Sequence, residues 1–164
     1  MSSQKPTEQD RENVAQAARQ MLARGSVGDE PLRSSATVGG AIPVRGPNRE
    51  LHSWFVPLTV GDRLAAFFQF LPDRTLMRFS SFQRRPGDGS GCPPVAEWLN
   101  ADRIRNRAAT QLQADETIGE PFLSYDRSPD RLVWAVPLSH EHDERLVYVV
   151  GDTVYTPPSG NTFG

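Results

Sequence analysis

A five-residue strand signature occurs twice in this chain. Trp54-Phe55-Val56-Pro57-Leu58 returns as Trp134-Ala135-Val136-Pro137-Leu138, at an offset of 80. Self-similarity of this kind constrains a fold more than any local propensity, because it points to one supersecondary unit used twice. Further matches keep the same order. Asp62-Arg63-Leu64 pairs with Glu144-Arg145-Leu146 at 82, and Ala17-Ala18-Arg19-Gln20-Met21 with Ala108-Ala109-Thr110-Gln111-Leu112 at 91. Val27-Gly28 pairs with Ile118-Gly119 at 91, and Glu30-Pro31-Leu32 with Glu120-Pro121-Phe122 at 90. The drift from 91 to 80 implies about ten extra residues in the first copy, expected in the Gly/Pro-rich loop around 38–50, where insertion is tolerated. Proline cannot donate to a sheet ladder, so its recurrence predicts an equivalent strand end or bulge in both copies.

The elements follow from periodicity. Residues 7–24 read as a helix, with Val14, Ala17, Ala18, Met21 and Leu22 on one face, Thr7 and Asp10 as a cap and Gly25 as its stop. A short strand is expected near 31–38 and a loop through 39–48. Strands follow over 51–59, 63–71 and 75–83. Residues 84–94, Arg-Arg-Pro-Gly-Asp-Gly-Ser-Gly-Cys-Pro-Pro, read as a linker. A second helix is expected over 94–113, with Ile104, Ala108 and Leu112 sharing a face. Alternatively, Asn100 caps a separate helix after a short first one. Strands are expected over 120–125, 131–138, 145–150 and 153–156. The predicted fold is α+β: two tandem units, each a helix plus a three-stranded antiparallel meander, forming a shared sheet with the helices on one face. The first unit covers 1–83, the linker 84–94, the second unit 95–157 and a flexible tail 158–164.

The helix-then-meander order resembles the PepSY-like and cystatin-like families. The second copy carries most of this, through Pro121-Phe122-Leu123-Ser124-Tyr125-Asp126, Leu132-Val133-Trp134-Ala135-Val136-Pro137 and Val147-Tyr148-Val149-Val150-Gly151-Asp152-Thr153-Val154-Tyr155. The resemblance implies a non-catalytic binding or inhibitory module. Type III secretion chaperones, small acidic α+β proteins that dimerise and bind extended peptides, are a second resemblance.

Charge narrows the partners. Eighteen basic against twenty acidic residues give a net charge of -2, without the basic excess of a nucleic-acid binder or an anionic-membrane binder. The polar N-terminus reads as no signal peptide, and the stretch 64–71 is too short to span a bilayer. One cysteine, Cys92, excludes an internal disulfide and suits a reducing compartment, so a cytoplasmic location is expected. The densest group of metal-ligand types is His140-Glu141-His142-Asp143-Glu144, in which His140, His142 and Asp143 are the candidates. A closed site needs three or four converging ligands, and the competing reading is a solvated hairpin turn. Cys92 has no neighbouring base and reads as an incidental linker thiol. Arg103 and Arg107, on one helix face, and Arg84 and Arg85 could form a basic patch or a solvated surface. Trp98 is the candidate surface anchor. No cofactor is expected. The residues point to a non-enzymatic module with a protein or peptide partner. The alternatives are a metal or ligand site at the turn at 140–144, or a structural homodimer subunit.

Overall fold

The computed structural model describes residues 6–157 of the 164. The tail expected over 158–164 lies outside the described residues. The fold is α+β, with helices packed on antiparallel strands, and it divides into two compact units, Met1–Val95 and Ala96–Gly164.

The first unit opens with α1 (Glu8–Arg24), closed at its N-terminus by the expected capping box: Thr7 Oγ1 accepts from Asp10 N and Asp10 accepts from Thr7 N. Gly25, at φ 73°, ends the helix in the left-handed region. Then come α2 (Glu30–Ser35), β1 (Thr37–Val38), β2 (Ile42–Arg45), β3 (Leu51–Val60), β4 (Arg63–Phe70) and β5 (Leu76–Ser81). The strand expected over 31–38 is therefore mostly a helix. Asp29 caps it by accepting from Leu32 N, and Pro31 in the first turn needs no donor. The expected loop over 39–48 contains β2.

α3 (Val95–Trp98) begins on the last residue of the first unit, and the second unit continues with α4 (Ala101–Ala108), a 3-10 turn over Ala109–Gln111, β6 (Thr117–Ile118), β7 (Phe122–Tyr125), β8 (Leu132–His140), β9 (Asp143–Val150) and β10 (Thr153–Tyr155). The single helix over 94–113 gives way to its alternative: Asn100 accepts from Arg103 N and starts α4. Ile104 and Ala108 are buried, but the chain leaves the helix before Leu112, which is 40% exposed.

Strand order is β2-β3-β4-β5 in the first unit and β7-β8-β9-β10 in the second. Each meander thus has four strands where three were expected, and the first strand of each is broken in two. β1 and β2 both pair with β3, at Val38↔Leu58 and Ile42↔Phe55, so one extra residue sits opposite Pro57. β6 and β7 pair with β8 in the same way, at Ile118↔Leu138 and Phe122↔Ala135. This is the bulge that the repeated proline predicts. Gly39 N donates to Pro57 O at 2.9 Å, and Gly119 N donates to Pro137 O at 2.8 Å. The return bond is missing because proline has no N–H. A Cβ on either glycine would lie 2.9 Å from the ring carbon Cγ of its proline. Glycine is there because the ring occupies the space of a side chain.

These registers correct the alignment. Thr37-Val38-Gly39 corresponds to Thr117-Ile118-Gly119, so the offset of 80 runs from β1 through the hairpin turns Gly61-Asp62 and Glu141-His142. Val27-Gly28 and Glu30-Pro31-Leu32 have no counterparts at 118–122; they flank and open α2. The match at 82 is out of register: Leu64 faces Thr59 as Glu144 faces Ser139, and a bulge in the first unit then shifts the offset to 79. The buried helix pairs Val14/Ala18 and Ile104/Ala108 stand 90 apart, not 91. One residue is about 100° of helix rotation, so the match at 91 aligns different faces. The ten extra residues lie between α1 and β1 and include α2; they are not in the loop around 38–50.

The first core comprises Val14, Ala18, Leu22, Leu32, Trp54, Val56, Leu58, Phe68 and Phe70, and includes Cys92 at 1% exposure. Cys92 is therefore a core side chain and not an incidental linker thiol. Burial pushes its pKa up, away from reactive thiolate. The two prolines after it are anchored too, since Leu64 N donates to Pro93 O and Arg63 bridges Pro94. In the second unit Ile104, Ala108, Val136, Leu138, Val147 and Val149 form the core beneath α4.

Candidate functional site

His140 and Asp143 form the last pair of the β8–β9 hairpin, with Glu141 and His142 as its turn. All four are exposed. His140 Nδ1 lies 3.1 Å from Asp115 O. Among the described residues, no three His, Cys, Asp or Glu side chains converge as a metal site.

Beside this turn, Arg145 reaches Glu116 through two 2.8 Å hydrogen bonds, and Gln113 N donates to the same carboxylate at 2.7 Å. The Arg145 bonds first, and the Gln113 bond second, hold the Glu116 pKa down at about 2, against an ordinary 4.5. A depressed carboxylate stabilises the fold above its unfolded pKa and loses that contribution as pH falls through the folded one. Wild type should therefore exceed Glu116→Gln in thermal midpoint at pH 7, and the two curves should converge between about pH 4.5 and pH 2.

The arginines of α4 do not form an open basic patch. Arg103 meets Glu97 at 3.5 Å. Arg105 contacts Asp102 and lies 2.5 Å from Glu120. Arg107 donates to Gly151 O at 2.8 Å and meets Asp152 at 3.3 Å. Trp98 is half-buried: its ring packs against Gly151 and its carbonyl accepts from Trp134 Nε1 at 2.8 Å. Arg107 and Trp98 thus fix α3–α4 to the β9–β10 turn.

What the residue pattern does not reveal is the outer edge of β5. Among the described residues this strand pairs with β4 alone. Phe82 N donates to Ala65 O at 2.8 Å. Counting back along an antiparallel ladder, Ser80 and Arg78 turn their backbone groups toward β4, while Phe79 and Ser81 turn theirs away. The strand is held firmly from within. Phe79 packs edge-on against Phe68, with ring centroids 5.2 Å apart. Arg78 Nε donates to Gln69 Oε1 at 2.8 Å, and its guanidinium lies 4.9 Å from the Phe67 ring centre. Gln69, wholly buried, also donates to Ser53 Oγ at 2.9 Å.

The second unit differs at the same register positions. Tyr148 and Tyr155 stand where Gln69 and Arg78 do, and Tyr155 donates to Asp126 at 2.6 Å. Burial, then that bond, raises the Tyr155 pKa to about 12. Its terminal strand, β10, has three residues and Pro157 two positions on.

No family model, curated protein or solved structure matches this chain.

A cleft of about 490 Å³ adjoins the start of β5, floored by Val14, Leu51 and Trp54 and rimmed by Asp10, Asp73 and Arg74. Its carboxylates have structural work. Asp10 closes the α1 cap, and Asp73 accepts from Thr75 N, a partner whose hydrogen bonds lower its pKa.

Proposed function

We propose that this chain is a non-enzymatic binding module that takes an extended peptide as an added strand along β5. The observation that carries this is the outward pair of backbone groups at Phe79 and Ser81, on a six-residue strand with one neighbour among the described residues. Natural edge strands are usually blunted by proline, lysine or a bulge, because an open ladder pairs with whatever reaches it. β5 has no proline or lysine, and its bulge is confined to the start, between Phe70 and Gln69 on the facing strand. From Arg78 to Ser81 it is a regular template for strand addition. The same reading holds the two units to be diverged copies, the first having kept a longer terminal strand, and assigns the protein to a reducing, cytoplasmic setting.

A capped hexapeptide of alternating threonine and valine should bind the full chain. The same peptide N-methylated at alternate residues, on the amides that would face β5, should show no binding by calorimetric titration. Equal binding of both peptides would exclude strand addition.

A further inference from the structure

We infer that the peptide taken by β5 is acidic, with carboxylates flanking its paired core at both ends; this rests on the strand-addition reading. Arg74 precedes the strand and Arg84 and Arg85 follow it, and all three are exposed. Among the described residues none of them makes a salt bridge, whereas Arg103, Arg105 and Arg107 of α4 each meet a carboxylate. The segment 73–88 carries four arginines against two aspartates, in a chain whose net charge is -2. Both aspartates bind their own loops: Asp73 accepts from Thr75 N, and Asp88 accepts from Ser90 N and Ser90 Oγ, with Arg84 near enough to help lower the Asp88 pKa but outside salt-bridge distance. A six-residue strand spans about 20 Å. An extended peptide paired along it therefore ends near Arg74 on one side and near Arg84 and Arg85 on the other. Charges so placed act on partner choice and association rate.

The arginines alone would also suit a nucleic-acid strand. The edge beside them decides for a peptide, because it offers alternating N–H and C=O groups that only another polypeptide backbone can match along its length.

The test uses three capped peptides with one threonine–valine core, flanked by glutamates, serines or lysines. Titrated into the full chain at low salt, the glutamate peptide should bind about fivefold to tenfold more tightly than the serine peptide, and the lysine peptide more weakly than both. The preference should shrink at roughly 0.5 M salt. In the variant Arg74→Asn with Arg84→Ser and Arg85→Ser, the three peptides should bind alike, at the affinity of the serine peptide for wild type. Asparagine is chosen because Arg74 sits at φ 71°. Equal binding of the three peptides to wild type would overturn the acidic partner and leave strand addition standing. Failure of all three would overturn strand addition itself. A glutamate preference that survives in the variant would overturn the role of these arginines. A short thymidine strand that binds more tightly than the glutamate peptide would replace the peptide by nucleic acid.

Discussion

Trp54→Ala should destabilise the protein by about 3–5 kcal/mol, while Trp134→Ala, at the equivalent position of the second unit, should cost about 1–3 kcal/mol. The two tryptophans share a place in the repeat but differ in burial. Trp54 is 2% exposed and packs in the core with Val14, Ala18, Phe68 and Phe70. Removing it leaves a cavity that the capped helix α1 and the paired strands β3 and β4 cannot collapse to fill. Trp134 is only partly buried, and its indole N–H donates to Trp98 O. Truncation there removes one part-buried hydrogen bond and the packing of a side chain that is only partly buried, so the cavity term is smaller. Chemical denaturation of each variant against wild type measures both values. A larger loss at Trp134 would contradict this account of the two cores.

The second large effect falls on the glycines opposite the repeated prolines. Gly39→Ala and Gly119→Ala should each cost about 1–3 kcal/mol, since the new methyl group would meet a proline ring that is itself fixed in a strand. Gly40→Ala, next along the same chain, meets nothing within 4 Å and should change stability by no more than about 0.5 kcal/mol. Coupling to the ring is the specific part. In Gly119→Ala/Pro137→Ala the loss should be less than the sum of the two single losses, because removing the ring removes the clash. Thermal unfolding of Gly39→Ala, Gly40→Ala, Gly119→Ala, Pro137→Ala and the double variant checks this. Strictly additive losses would show that the glycine is required for its backbone freedom alone.

Much of this was legible in the sequence, and the failures have physical causes. The capping box at Thr7 and Asp10, the stop at Gly25, the cap at Asn100 and the strand alternation around Trp54 and Trp134 are local signals, and the structure follows them. The repeated proline also carried its own explanation, a bulge. Over 28–48 the structure departs from the expected strand and loop because the glycines and prolines there mask a helix start and a strand that forms only by pairing with β3. Asp29 before Glu30 and Pro31 is a helix start, and Thr-x-Gly at 37 and 117 is a repeat that only the strand register makes significant. The helix offset differs by one residue because letter identity and helix face disagree: Ala108 matches Ala17 by neighbouring letters and Ala18 by burial.

The candidate site was much less legible. His140, His142 and Asp143, and Arg103 and Arg107, stand out in the sequence because their side chains carry chemistry. An open strand edge has no residue signature. Whether β5 has a second neighbour is a property of topology, and whether an arginine is free depends on which carboxylates the fold brings to it. Arg107 and Arg84 cannot be told apart by sequence; the first meets Asp152 and Gly151, the second no carboxylate within salt-bridge distance among the described residues.

The central claim concerns the edge of β5, and amide hydrogen exchange reads it residue by residue. With the neutral threonine–valine hexapeptide at saturation, the amides of Phe79 and Ser81 should exchange at least about tenfold more slowly than in the free chain. Phe82, whose N–H is already bonded to Ala65, should change little and serves as the internal reference. Unchanged exchange at Phe79 and Ser81 in a chain that has demonstrably bound the peptide would contradict strand addition at β5.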